Sequence, residues 1–263
     1  MRKRHGIRRG VALLPNLLTT ANLFCGFFSI IKSLEGNIVH AVWLIILASF
    51  FDFMDGRVAR MTGTQSDFGV EYDSLSDLTT FCMAPAILAY NWGLGELGKF
   101  GIAVCFLYFA CGALRLARFN VQAGSVEKVD FQGLPTPAAA GMLVSYVLFY
   151  LEVFGVRDMR ATYILMGLTP LLALLMVSRV EYRSFKRIKR TSFFFLVCLI
   201  GIVFLIASQP EITLFAIGVV YISAGLIRWF IKSPEKIRNL AAFLLQMYHE
   251  RKESFIYDDA EDD

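Results

Sequence analysis

Residues 41–60 read Ala41-Val42-Trp43-Leu44-Ile45-Ile46-Leu47-Ala48-Ser49-Phe50-Phe51-Asp52-Phe53-Met54-Asp55-Gly56-Arg57-Val58-Ala59-Arg60, an uncharged apolar run that turns into two acids and two arginines. At about 1.5 Å of rise per helical residue, the uncharged part covers about 16 Å, roughly half of a bilayer's hydrocarbon core. A helix is the conformation that satisfies such a run's backbone hydrogen bonds internally where water is absent. The charged half is expensive to expose to lipid, so it must line a polar cavity. The stretch therefore predicts a membrane helix that opens partway across into a water-filled site.

The rest of the chain agrees. Hydrophobic residues are 56% of 263 and the mean hydropathy is +0.56, against roughly 45–50% apolar residues in soluble domains. The excess falls into about eight blocks, near 16–34, 39–61, 71–92, 98–119, 136–154, 160–178, 192–208 and 211–231. Each approaches the roughly 20 residues a helix needs to cross the core. A soluble helical protein of this length has no use for so many full-length apolar helices. The expected fold class is an all-α integral membrane protein of about eight transmembrane helices.

Basic residues set the orientation. Segments on one side hold Arg2, Lys3, Arg4, Arg8 and Arg9, then Lys128, the run Arg179, Arg183, Lys186, Arg187, Lys189 and Arg190, and finally Lys232, Lys236, Arg238, Arg251 and Lys252. The other side holds Lys32, Lys99, Arg157 and Arg160. This positive-inside bias places both termini in the cytoplasm. The basic N-terminus is followed by an apolar block without a small-residue cleavage site, so 16–34 reads as a retained first helix. The five cysteines all lie in apolar blocks without a CxxC, which points to packing rather than zinc or disulfides. The expected organisation is a basic N-terminus (1–15), a six-helix core (16–178), a basic cytoplasmic loop (179–191), a final helix pair (192–231) and a cytoplasmic tail (232–263).

Two further acids, Asp73 and Asp77, sit in the next apolar block. Asp52 and Asp55 are three residues apart and Asp73 and Asp77 four apart, so each pair shares one face of its helix. Opposed across neighbouring helices, the four charges would repel each other and resist ionisation unless compensated. Two divalent cations bring the local charge to zero, and hard carboxylate oxygens suit Mg2+ or Mn2+. A two-metal site serves phosphoryl chemistry by holding the attacking and leaving oxygens. Gly56 follows Asp55 and Gly69 precedes Asp73, leaving room for a phosphate or nucleotide against the backbone, with Ala59 one turn from Gly56. Arg60 shares that small-residue face and can reach phosphate oxygens bidentately. A divalent-cation channel or transporter would also use intramembrane acids, but it would not need the Gly/Ala spacing or Arg60. No segment suggests nucleic-acid binding.

Written as a pattern, residues 52–77 are D-x2-D-G-x2-A-R-x8-G-x3-D-x3-D. This resembles the complete signature of the CDP-alcohol phosphotransferase family, without departure. The resemblance implies a six-helix catalytic core, two divalent metals and displacement of CMP from a CDP-linked lipid. It implies that Asp52, Asp55, Asp73 and Asp77 hold the metals, with Asp77 also the general base. It implies further that Gly56, Ala59 and Gly69 line the nucleotide site and that Arg60 steadies its phosphates.

Stretches outside the signature resemble the membrane-type phosphatidylserine synthases: Pro15-Asn16-Leu17-Leu18-Thr19 leading to Asn22 and Cys25-Gly26, then Arg115-Leu116-Ala117-Arg118-Phe119-Asn120, Gly133-Leu134-Pro135-Thr136-Pro137 and Tyr182-Arg183-Ser184-Phe185-Lys186. That likeness adds Asn16 and Thr19 to the CDP- and phosphate-binding set. It implies CDP-diacylglycerol and L-serine as substrates, membrane lipids and a second copy of the chain as partners, and the cytoplasmic membrane of a prokaryote as location, with the active site facing the cytoplasm. Arg115 and Arg118 are charged groups within an apolar span and need anionic partners. At least one is expected to bind the serine carboxylate or the lipid phosphate; pairing with the metal-site acids or snorkelling to headgroups are the alternatives. Glycerol 3-phosphate and inositol phosphate are the alternative acceptors, and both should favour a denser basic pocket.

Overall fold

The structure is a computed structural model and describes residues 4–64, 66–123, 133–178, 180, 201, 204–229 and 231, with side chains described from Leu13 onward. Among the described residues all regular structure is helical. Helix α1 spans Arg4–Leu34 and α2 spans Ile38–Thr62. Helix α3 (Asp67–Asp77) runs through a π turn (Leu78–Met83) into α4 (Ala84–Trp92). A 3-10 turn (Leu94–Leu97) leads to α5 (Lys99–Ala123), followed by α6 (Thr136–Phe154), α7 (Met159–Val177) and α8 (Pro210–Trp229).

Among the described residues, six segments are long and apolar enough to cross a membrane: Leu13–Leu34, Ile38–Thr62, Lys99–Gln122, Thr136–Phe154, Met159–Val177 and Pro210–Trp229. They match six of the expected blocks. The block at 71–92 is helical as expected, but it is divided between α3, the π turn and α4 and begins earlier, at Asp67. Its polar first turn, Asp67 to Glu71, does not register in a search for hydrophobicity. The block at 192–208 lies largely outside the described residues; of it, 201 and 204–208 are described and are helical. The basic loop 179–191 (Val180 apart), Lys128, Cys198 and the tail from 232 onward also lie outside them. Contacts divide the chain into two units, Met1–Tyr221 and Ile222–Asp263. In the second, residues 222–229 and 231 are described and are helical.

Within the first unit, α1 is the spine. It packs against α2, α3, the π turn and α4. Its inward face is a stripe of small and polar side chains: Thr19, Asn22, Cys25, Ser29 and Ser33 are all buried. Ser29 donates to the Ala41 carbonyl on α2 (2.8 Å), and Asn91 on α4 donates to Ser33 (3.2 Å). Short side chains let the helix axes approach, and hydrogen bonds replace water for the groups so buried. The inward face of α2 carries Ala41, Ile45 and Ala48, all fully buried. Steps of three and four residues along that face arrive next at Asp52 and Asp55.

The π turn is gripped from both sides. On α1, Gly26 lies where any side chain would collide, since a Cβ would stand 2.8 Å from the Thr80 Cα. On α5, Gly112 serves Cys82 in the same way, with a Cβ 3.0 Å from the Cys82 Cβ. Thr80 donates to the Asn22 carbonyl (3.2 Å), and the buried Tyr108 hydroxyl donates to the Phe81 carbonyl (3.1 Å). A π turn leaves backbone groups out of the ordinary α pattern. The Phe81 carbonyl receives an outside donor from Tyr108.

Turn chemistry closes the ends. Helix α2 stops at Gly63, whose φ of 63° suits glycine and whose N–H returns to the Ala59 carbonyl. Ser66 caps α3 by accepting from the Gly69 N–H at 3.1 Å. Asp158 caps α7, accepting from the Ala161 N–H (3.0 Å) and the Tyr150 hydroxyl (2.5 Å). The Tyr150 hydroxyl, and after it the Ala161 N–H, hold the Asp158 carboxyl below the usual carboxylate range. Beside it, Arg157 pairs with Glu96 of the 3-10 turn and lowers the pKa of that carboxyl as well.

Candidate active site

The four intramembrane acids converge. One carboxylate oxygen from each of Asp52, Asp55 and Asp73 lies within 4.8 Å of the other two. Asp77, one turn beyond Asp73, is 9% exposed and reaches Asp52. The two pairs come from α2 and α3, and α1 braces both. The Thr19 hydroxyl lies 2.7 Å from Asp55 Oδ2, and Asn22 Nδ2 donates to Asp77 Oδ1 at 3.3 Å. Thr19 and Asn22 are one turn apart on one helix face, so α1 touches one acid on each flanking helix. Ser76 adds a bond from α3 back to the Thr19 carbonyl at 3.2 Å.

This donor set fits a divalent cation. It offers hard oxygen atoms at mutual distances one ion can bridge. Asp73 Oδ1 is buried and has no hydrogen-bond partner. The ion pairs among the described residues are Lys32–Glu35 and Arg157–Glu96, and neither involves these acids. Arg60 acts on Asp55 and Arg115 on Asp77 through space only. Asp52, Asp55 and Asp73 are therefore placed to hold a metal, with Asp77 beside them.

The remaining sequence candidates fall into two groups around this centre. Toward the ends of α2 and α3, the Arg60 guanidinium folds over Gly56, with Nη1 3.3 Å from where a Gly56 Cβ would stand. Ala59 is half-buried nearby on the same helix. Gly69 faces Ser66 Oγ and Asn16 Oδ1, at 3.2 and 3.6 Å from its would-be Cβ. Thr19, expected among phosphate-binding groups, has its hydroxyl on Asp55 instead of pointing into open space. On the other side, Arg115 donates to Thr136 Oγ1 at 3.5 Å, and its Nε is buried without a partner. Arg118, one turn on, is half-buried.

Sequence reasoning missed several groups. Asn22, Ser76 and Asn120 were not among the candidates, yet each fixes a site helix. Asn120 accepts from Ser74 (3.1 Å) and donates to Glu71 (3.2 Å), tying α5 to the polar end of α3. A signal for Asn22 was present: Asn16, Thr19, Asn22, Gly26, Ser29 and Ser33 recur every three or four residues through an apolar helix. Because Thr19 orients a metal-side carboxylate, Thr19→Val should weaken Mn2+ binding by about 10–100-fold. Titration of the purified protein with Mn2+ checks this, and unchanged affinity would mean that Asp55 holds its orientation without the hydroxyl.

Comparison with known proteins agrees with this geometry. A family model described as CDP-alcohol phosphatidyltransferase matches residues 12–175. A Helicobacter pylori protein named CDP-diacylglycerol–serine O-phosphatidyltransferase is 36% identical over 227 residues, which is 86% of this chain and 95% of that protein. A Bacillus subtilis protein of the same name is 36% identical over 174 residues, or 66% of this chain and 92% of its own. A Methanothermobacter thermautotrophicus protein named archaetidylserine synthase is 40% identical over 171 residues, covering 64% of this chain and 69% of that protein.

Proposed function

The chain belongs to the CDP-alcohol phosphatidyltransferase family, and from that premise we propose that it transfers the phosphatidyl group of CDP-diacylglycerol to the hydroxyl of L-serine, releasing CMP. The observation that carries the reading is the cluster of the Asp52, Asp55 and Asp73 carboxylates from α2 and α3, the last with a buried, unpartnered oxygen, and Asp77 one turn beyond it. The choice of serine is supported by the names of the Helicobacter, Bacillus and Methanothermobacter relatives.

Asp52, Asp55, Asp73 and Asp77 would hold two divalent cations, Mg2+ or Mn2+, which when bound supply charge neutralisation for the diphosphate and for departing CMP. Asp77 is the general base: it takes the proton of the serine hydroxyl, whose oxygen bonds to the phosphorus carrying the diacylglycerol. The bond from that phosphorus to the CMP oxygen breaks, and CMP leaves with its electron pair. Proton transfer of this kind contributes about 10²–10⁴-fold. Gly56, Ala59 and Gly69 leave the backbone open to the nucleotide, while Arg60 and Asn16 meet its phosphates and Thr19 acts through Asp55. Arg115 and Arg118 take the serine carboxylate or the lipid phosphate.

The same reading places the site toward the cytoplasm of a prokaryotic cell membrane. It gives the chain about eight crossings, counting 71–92 and 192–208, and puts both termini inside. The supporting observation is the distribution of basic residues. The catalytic core would be residues 16–178, and two copies would associate.

The test is CMP release by the purified protein in detergent with CDP-diacylglycerol and Mg2+ or Mn2+. L-serine, glycerol 3-phosphate and inositol compounds are compared as acceptors. Release with serine that chelation abolishes is the expected result. Release with a phosphorylated acceptor instead would keep the chemistry and overturn the substrate.

A further inference from the structure

Asn22, which is bonded to Asp77, and Arg115, which acts on Asp77 electrostatically, each hold one buried polar atom whose hydrogen-bonding capacity is unused. Asn22 is completely buried. Its Nδ2 is committed to Asp77, and its Oδ1 is buried without a partner. The amide cannot be turned over to relieve this, because two acceptors would then face each other. Arg115 presents the opposite case, a buried Nε–H donor without a partner, in a guanidinium that acts electrostatically on Asp77. Native proteins seldom leave such groups unmade, and each one calls for an explanation.

We infer that Asn22 reads the ammonium group of the acceptor and Arg115 its carboxylate, so that the surroundings of Asp77 select a zwitterionic amino alcohol acid. This rests on the function proposed above and deepens it. A serine whose hydroxyl lies against Asp77 has its ammonium and its carboxylate both on the next carbon, pointing in different directions from it. The Asn22 carbonyl oxygen accepts from an ammonium and has nothing to offer an anion. The Arg115 guanidinium pairs with a carboxylate and repels a cation. A phosphorylated polyol would bring a dianion to Arg115 and no ammonium to Asn22. The placement also explains why a buried amide belongs here at all. One end of it holds the base and the other holds the substrate, so recognition and chemistry are set by the same side chain.

The test uses the full chain in detergent with CDP-diacylglycerol and Mn2+. Beside L-serine it takes 3-hydroxypropanoate, which lacks the ammonium, and ethanolamine, which lacks the carboxylate. These serve as acceptors or, where turnover is too low, as inhibitors competing with serine. Asn22→Leu should lower the preference for serine over 3-hydroxypropanoate by about 10–100-fold, the worth of a hydrogen bond to a charged group. Its preference for serine over ethanolamine should stay as in the unmodified protein. Arg115→Met should do the reverse. If Asn22→Leu slows every acceptor equally and leaves both preferences intact, Asn22 only positions Asp77 and the inference is wrong. Should Asn22→Leu fail to fold, Asn22→Ser and Arg115→Lys give the same comparison with less disturbance. Failure of the underlying function looks different: the unmodified protein would release CMP with glycerol 3-phosphate and not with serine, which overturns both.

Discussion

Replacing Asp73 by asparagine is expected to reduce metal-dependent CMP release by about 10³-fold at sub-saturating Mn2+. Asp73 shares its oxygen cluster with Asp52 and Asp55, and its Oδ1 is buried without a hydrogen bond. The substitution keeps size and shape and removes one negative charge. At about 4 Å and an effective dielectric of about 20, one pair of unit charges is worth about 4 kcal/mol. Each step of about 1.4 kcal/mol is tenfold in affinity, so the loss is about three decades, and raising Mn2+ should recover part of it. Mn2+ titration of the same sample separates a binding defect from a folding defect. Retention of ordinary Mn2+ affinity with full turnover would show that Asp73 is not a ligand.

Asp77→Asn is expected to behave differently. Turnover should fall by about 10²–10⁴-fold through loss of the base, while Mn2+ affinity changes far less than in Asp73→Asn. The reason is geometric. Asp77 lies outside the three-carboxylate cluster, against Asp52, and its Oδ1 is held by Asn22. An asparagine keeps that bond, so the helix should not shift. Near-normal turnover with metal bound would remove Asp77 from the role of base. A fall in Mn2+ affinity as large as that of Asp73→Asn would give Asp77 an equal share with Asp73 in holding the metal.

The parts of the molecule legible in the sequence were those written in side-chain chemistry along one helix. The run at 136–154 became α6 with the same ends, because Pro135 and Gly155 punctuate it. The register of Asp52 and Asp55, and of Asp73 and Asp77, predicted a shared face, and the structure brings the two faces together. Gly69 and Asn16 were named for separate reasons and turned out to be neighbours. What was not legible depends on contacts between helices. Hydropathy cannot distinguish a π turn from an α-turn, so 78–83 read as ordinary helix. Tyr108 resembles any apolar aromatic until the Phe81 carbonyl is seen waiting for its hydroxyl. The bond from Thr19 to Asp55 could not be read from the sequence, because the two residues are 36 apart in the chain and meet only when α1 packs on α2. Asn22 was the readable omission, since an amide inside an apolar span needs partners.

The π turn also bears on which changes of length this chain can accept. Such a turn holds one residue more than the α-turn it replaces. Deleting any one residue between Leu78 and Met83 would let α3 run into α4 as plain α-helix. Each residue of an α-helix advances about 100° around the axis and each residue of the wider turn advances less, so the six residues of the π turn and five of α-helix cover nearly the same angle and the two halves keep their facing. Asp73 and Asp77 could then still face the acidic cluster while Leu88, Ala89 and Trp92 face the interior where they are now buried, and what would be lost is the freed Phe81 carbonyl that Tyr108 meets. The wide turn thus costs α3 and α4 none of their alignment, and what it adds is a backbone carbonyl turned outward at a point where Gly26, Gly112 and Tyr108 are shaped to receive it.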